Sequence, residues 1–195
     1  MIKPEMNPVF IIIALNVGGL IAAYISPDLL YDLGMYAPME LFIRHPWGIF
    51  TSLFLHDGFF HLFANMITLF FFGSFLLRLI GDKKLLLIYL GGGIIGNIFF
   101  LLLGTLIWPD SAALAVGASG AVFALGGTLT VMVPKLKVFV FPIPAPIPLW
   151  IAVIGGFIIL SFIPYVAWEA HLGGLLFGII AGLFFKRSGR RQYYV

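Results

Sequence analysis

GASGAVFALGGTLTVMV, residues 117–133, is an uncharged apolar run opened by Gly117-Ala118-Ser119-Gly120. Residues 170–185 read AHLGGLLFGIIAGLFF, a second such run opened by His171. Segments of this length and composition are read as bilayer helices. A hydroxyl and an imidazole at the mouths of two of them are the minimum equipment for nucleophilic catalysis, and ionisable residues within a membrane are costly enough to imply a purpose.

Composition fixes the solvent. Of 195 residues, 62% are hydrophobic and only 10% are charged, with a mean hydropathy of +1.11. A water-soluble domain does not have that balance; the chain reads as a polytopic integral membrane protein. Its length leaves room for one bundle and no separate soluble unit, so residues 1–195 are expected to form a single membrane domain. The absence of cysteine excludes disulfides, thiolate metal sites and a cysteine nucleophile. A pI near 9.3 and a net charge of +3 do not indicate nucleic acid, because the charges cluster at helix ends.

Six spans are predicted, at about 8–25, 59–80, 85–108, 119–133, 148–163 and 168–185. Lys3, Arg78, Lys83, Lys84, Lys135, Lys137, Lys186, Arg187, Arg190 and Arg191 then share one side, with Arg44 alone opposite. The positive-inside rule makes that side the cytoplasm, with both termini. Asp28, Asp32, Glu40, Asp57, Asp110 and Glu169 lie on the outer face. The first apolar run lacks a small-x-small cleavage site before Asp28 and reads as a retained anchor. The long outer connection between the first two spans mixes apolar and polar residues, including Trp47, and predicts short amphipathic helices at the interface. Residues 134–148, rich in proline, predict an extended inner link.

Depth brings four polar side chains together. At the helical rise, Ser119 lies about 24 Å from Lys135 and His171 about 22 Å from Lys186. His61 and Asn65 lie about 25 and 20 Å from Arg78 by the same rise. In a hydrocarbon core of about 30 Å, this stratum is some 5 to 10 Å below the outer surface. A serine needs a base to take its proton, and His171 is the only histidine late in the chain. Ser119 begins its helix, so the N–H groups after it are free to stabilise an oxyanion. His61 and Asn65, four apart, share a helix face and each offers a donor for the same oxyanion. Gly117 and Gly120 allow close approach of backbone, and Gly174, Gly178 and Gly182 make a stripe on which the sixth helix packs against the fourth.

These residues resemble the rhomboid intramembrane serine proteases. Gly117-Ala118-Ser119-Gly120 is similar to the family's G-x-S-G, His61 with Asn65 to its H-x-x-x-N, and Ala170-His171-Leu172-Gly173-Gly174 with Gly178 to its A-H-x-x-G-x-x-x-G. The resemblance implies an all-α, six-helix bundle in which Ser119 is the nucleophile and His171 the base of a dyad without aspartate. His61, Asn65 and the Ser119 main-chain N–H would form the oxyanion hole, with His56 in a structural role. The implied substrates are transmembrane proteins within the lipid bilayer, cut in or near their spanning segments. The membrane is expected to be a prokaryotic cell membrane, with the site opening to the outer face, and no metal or organic cofactor is implied. In two places the chain departs from the family. Trp47 is followed by Gly48 where the family often has arginine, with Arg44 three residues earlier, and Phe123 stands where many members have a tyrosine stacked beneath the histidine.

Other chemistries fit poorly. No His-Glu-x-x-His run occurs, buried carboxylate pairs are lacking, His45 and His56 are misplaced for haem, and no internal repeat suggests a transporter. The competing reading is a catalytically inactive rhomboid-like protein that binds client transmembrane helices; such a protein would normally have lost Ser119 or His171. His45 and Glu169 are expected to be interfacial. Substrate entry is expected to involve lateral movement of the fifth helix or of the outer cap at about residues 163–168, where Pro164 weakens helix continuity.

Overall fold

The computed structural model describes residues 7–140 and 142–192, the stretch 187–192 as backbone alone. Lys3 and the side chains of Arg187, Arg190 and Arg191, used above to orient the chain, lie outside the described residues. Helix α1 (Pro8–Ile25) starts where Asn7 accepts from the Val9 N–H at 2.9 Å and proline occupies the first position. It is followed by an outer connection of short pieces: α2 (Asp28–Leu33), β1 (Met35–Ala37), α3 (Met39–Phe42), α4 (Gly48–Thr51) and a 3-10 turn over Ser52–Phe54. The long helices α5 (Phe59–Ile80) and α6 (Asp82–Ile107) meet at Gly81, whose φ of 78° a side chain would resist. Then come β2 (Ala113–Ala115), α7 (Ser119–Met132), the strand pair β3 (Lys137–Val138) and β4 (Ile147–Pro148), α8 (Leu149–Ser161) and α9 (Trp168–Gln192).

All six expected apolar helices are present, with shifts at their ends. The third begins at Asp82 rather than 85, because Asp82 suits the positive end of a helix and Lys83 and Lys84 continue it past the apolar run. Four helices, α1, α5, α6 and α9 through Lys186, are long and apolar enough to cross a membrane. Helices α7 and α8 have 14 and 13 residues and are shorter. The long helices turn large apolar side chains outward, among them Phe60 and Leu106, as lipid-facing surfaces do.

Helix α7 is the centre of the bundle. Its Ala121, Ala124, Leu125 and Leu129 are buried, and α9, α6 and α5 surround it. A Cβ on Gly174 would overlap the Gly120 carbonyl, one on Gly178 the Ala124 carbonyl, and one on Gly182 would lie 2.9 Å from the Thr128 carbonyl. Backbone thus lies directly on backbone at every turn of the α7–α9 contact. Thr128 Oγ1 closes the seam by donating within reach of the Ala124 and Gly178 carbonyls, at 2.8 and 2.9 Å. At the far end Lys186 Nζ donates to the Val131 carbonyl at 2.7 Å, which levels the two helices at their C-terminal ends.

The outer connection is seated on the bundle by backbone. Strand β1 pairs antiparallel with β2, Met35 opposite Ala115 and Ala37 opposite Ala113. Asn97 of α6 donates to the Ile49 carbonyl at 2.9 Å and to Ser52 Oγ at 2.8 Å. Gly48 is required here, since a Cβ would overlap the Gly34 carbonyl. Arg44 pairs with Glu40 at 3.6 Å on the exposed surface and does not reach inward. Elsewhere Asn16 of α1, buried, donates to the Ile12 carbonyl at 2.8 Å and lies 3.4 Å from the Tyr89 hydroxyl.

The seam makes unequal demands on glycine. Gly178→Ala should destabilise the fold by about 1–3 kcal/mol through overpacking, while Gly155→Ala in α8, with open space at its Cβ, should stay within about 0.5 kcal/mol. Equilibrium unfolding in detergent micelles checks the contrast, and equal effects would contradict it.

Candidate active site

Ser119 is presented by a sharp turn. Strand β2 ends at Ala115, the Gly117 N–H donates to the Ser52 carbonyl at 2.9 Å, and Gly117 adopts φ 127°, a conformation that favours glycine. Ala118 caps α7, and the ladder bond that the Val122 N–H makes to the Ala118 carbonyl leaves the N–H groups of Ser119, Gly120 and Ala121 ahead of it. The helix therefore starts with a half-buried hydroxyl beside free main-chain donors and the positive end of its dipole.

His171 reaches that hydroxyl from the first turns of α9. Its Nε2 lies 2.8 Å from Ser119 Oγ, and only 4% of the residue is exposed. With the hydroxyl donating to Nε2, the ring proton sits on Nδ1, which is buried with no hydrogen-bond partner in the structure. Among the described residues no carboxylate orients the imidazole. Its ring is instead stacked on Phe123, with centroids 4.7 Å apart and planes at 33°. Phe123 in turn packs edge-on to Phe157 of α8 at 6.2 Å. The substitution of phenylalanine for the expected tyrosine therefore keeps the ring support.

A second group comes from the outer end of α5. His61 Nδ1 lies 2.5 Å from Asp57 Oδ1, and Asn65 Nδ2 donates to His56 Nε2 at 3.1 Å. His56, fully buried in the loop before α5, has its pKa pushed down to about 3 by burial, with His61 adding to the effect and Asp57 opposing it. A neutral ring is what an acceptor at Nε2 requires. Both α5 side chains approach Gly117: a Cβ there would lie 2.7 Å from His61 Nε2 and 3.8 Å from Asn65 Nδ2. Glycine at 117 thus lets two side-chain nitrogens stand two residues from Ser119. A cavity of about 20 Å³, lined by Gly117, Ser119, Gly120, Asn97, Ala167 and Ala170, has room for one water.

The structure brings Ser119, His171, His61, Asn65, Gly117, Gly120, Phe123, Gly174 and His56 to one end of the bundle, while Gly178 lies further down the seam against Ala124. Glu169 lies in the first turn of α9 and is buried, with 4% of the residue exposed. It borders a cavity of about 440 Å³ formed with Trp108, Ala113, Tyr165 and Trp168. His45 is half-buried between the rings of Tyr36 and Trp47. Sequence reading missed the Asp57 contact, although its spacing of four from His61 was visible, and it missed Asn97, a polar residue within an apolar helix. Among the described residues, no group of three or more histidine or acidic side chains could hold a metal ion.

Comparison with known proteins places the chain in a family. The sequence matches the Rhomboid domain over residues 44–188. It is 33% identical over 148 residues to the "Putative rhomboid protease YdcA" of Bacillus subtilis, covering 75% of this chain and 71% of that one. It is 30% identical over 164 residues to "Rhomboid protein 1, mitochondrial" of Saccharomyces cerevisiae, covering 74% of this chain and 43% of the yeast protein. "Rhomboid protease GluP" of Bacillus subtilis is 34% identical over 137 residues, covering 69% of this chain and 25% of GluP. The chain thus spans only part of these last two, longer relatives. With its apolar helices and a domain match over most of its length, the chain is an integral membrane protein that belongs to the rhomboid family.

Proposed function

We propose that the chain is an intramembrane serine endopeptidase that hydrolyses peptide bonds in or near the transmembrane segments of other proteins. The observation that carries this reading is the 2.8 Å approach of His171 Nε2 to Ser119 Oγ at the mouth of two apolar helices. His171 takes the hydroxyl proton as Oγ attacks the scissile carbonyl, then returns it to the leaving amine. The oxyanion receives the Ser119 main-chain N–H together with donors from His61 and Asn65. Water then attacks the acyl-enzyme with His171 as base, releasing the second product and restoring the serine. Phe123 supplies by stacking the ring orientation that a hydrogen-bonded carboxylate supplies in a triad.

In this reading residues 1–195 form one domain, with α7 and α8 completing six spans. The basic residues face the cytoplasm of a prokaryotic cell, the acidic connection faces outward, and the outer face admits the water. Substrate helices must unwind locally, since a regular helix keeps its carbonyls in hydrogen bonds; small or helix-breaking residues are expected near the cut.

Entry is by lateral movement of α8 and the cap that follows it. Helix α8 buries only Leu149 and Val153, and beyond its end at Ser161 the chain turns through Pro164 and Tyr165, the latter at φ 63° and fully exposed. Phe72 of α5 and Val153 of α8 both pack on Gly126, so cysteines placed at these two positions, in a chain without native cysteine, can be joined by a bifunctional thiol reagent with a reducible spacer to tether the two helices. Crosslinking should slow cleavage of a transmembrane substrate by about tenfold or more, reversibly on reduction, if opening limits turnover. Unchanged turnover would remove α8 as the gate.

Ser119→Ala and His171→Ala should each abolish cleavage in liposomes while leaving a folded chain. Asn65→Ala should lower kcat by about a hundredfold through loss of one donor. Full activity in the serine variant would eliminate the mechanism.

A further inference from the structure

Asp57 is a carboxylate that the reaction above does not use. It stands two residues before α5, with its side chain 65% exposed and its Oδ1 2.5 Å from His61 Nδ1. A carboxylate can only accept, so the contact places a proton on Nδ1. The other ring nitrogen has a fixed position, because Nε2 lies against the Gly117 backbone, two residues from Ser119.

The two nitrogens are therefore linked. A neutral imidazole has one N–H, and when Asp57 takes it Nε2 presents a lone pair, which cannot donate to an oxyanion. A donor exists at Nε2 only when the ring carries both protons. Asn65, on the same face, is an amide whose donation does not depend on pH.

Resting on the protease reading, we propose that Asp57 is a positioning residue that holds His61 through Nδ1–H and makes its donation to the oxyanion conditional on a doubly protonated ring. The hydrogen bond from Nε2–H forms as the tetrahedral oxyanion forms and breaks as it collapses; no proton leaves His61. The titratable groups facing His61 are Asp57 and His56 from the segment before α5 and His171 from α9. His56 is buried and neutral, so Asp57 is the charged neighbour that sets the ring's proton placement.

The chain has four histidines, which makes direct observation practical. Solid-state NMR of the full chain, 15N-labelled at histidine and reconstituted in liposomes, reads each ring's proton placement across a pH series. His61 is expected to lose its Nε2 proton and retain the Nδ1–H form at alkaline pH, while Asp57→Ala shifts it to the Nε2–H form. An Nε2–H tautomer in the unsubstituted chain, or no change in Asp57→Ala, would overturn the proposal. The kinetic counterpart is the ratio of kcat between the unsubstituted chain and His61→Ala. It should fall by about tenfold toward unity as pH rises, and stay level when both chains carry Asp57→Ala, with KM little changed. A pH-independent ratio in the unsubstituted background would equally overturn it. The spectra decide the proton placement whether or not the chain cleaves, so failure of the protease reading is recognised separately, from cleavage by Ser119→Ala.

Discussion

The contact of bare backbone along the seam between α7 and α9 is the constraint on which the rest depends. Within an apolar layer, helices gain little by burying apolar area against each other, so their association rests on close packing and hydrogen bonds. Glycine at 174, 178 and 182 removes every side chain that would hold α9 away from α7, and Thr128 adds a hydrogen bond in the space so gained. Lys186 anchors one end of the seam on the Val131 carbonyl. His171 emerges at the other end, level with the first residue of α7. A short serine to histidine contact between separate helices follows from that fit, with Phe123 supporting the imidazole ring.

Polar side chains elsewhere in the bundle are paired in ways that support the same end of the molecule. Asn97 holds the outer connection through Ile49 and Ser52, and the Ser52 carbonyl receives Gly117 N–H. The turn before Ser119 is thereby fastened both to the outer connection and, through β1–β2, to the strand that precedes it. Leaving such groups unpaired in a layer without water costs several kcal/mol each, which is why these contacts are effective locks. Asn65 and His56 make a similar pair beside the site, with the histidine neutral and accepting. In contrast, α8 has few buried residues and stands apart from this network.

Much of this was legible in the sequence, for reasons that differ by element. Apolar runs report helices directly, so the apolar helices are legible with ends misplaced by a few residues, while among the described residues four of them have the length to cross a membrane. At Asp82 the error arose because charged residues extended a helix that hydropathy alone would have started later. Ser119 and His171 are legible because each opens an apolar run and because their distances from basic residues match. The pairing of β1 with β2 was not legible: three-residue strands have no periodicity, and residues 35 and 115 are joined only by the tertiary fold. Nor could composition show that Gly48 lies against the Gly34 carbonyl, so that what read as a missing arginine is a steric requirement. The contact of Asp57 with His61, and that of Asn97 with Ile49 and Ser52, became visible only with coordinates.

The direct test of a nucleophilic serine paired with a histidine inside the membrane is reaction with a fluorophosphonate probe. The full chain in liposomes is treated, digested and mapped by mass spectrometry beside Ser119→Ala and His171→Ala. A single adduct on Ser119, absent in the first variant and strongly reduced in the second, is the expected result. Labelling at another residue, or equal labelling of Ser119 when His171 is replaced, would contradict the dyad.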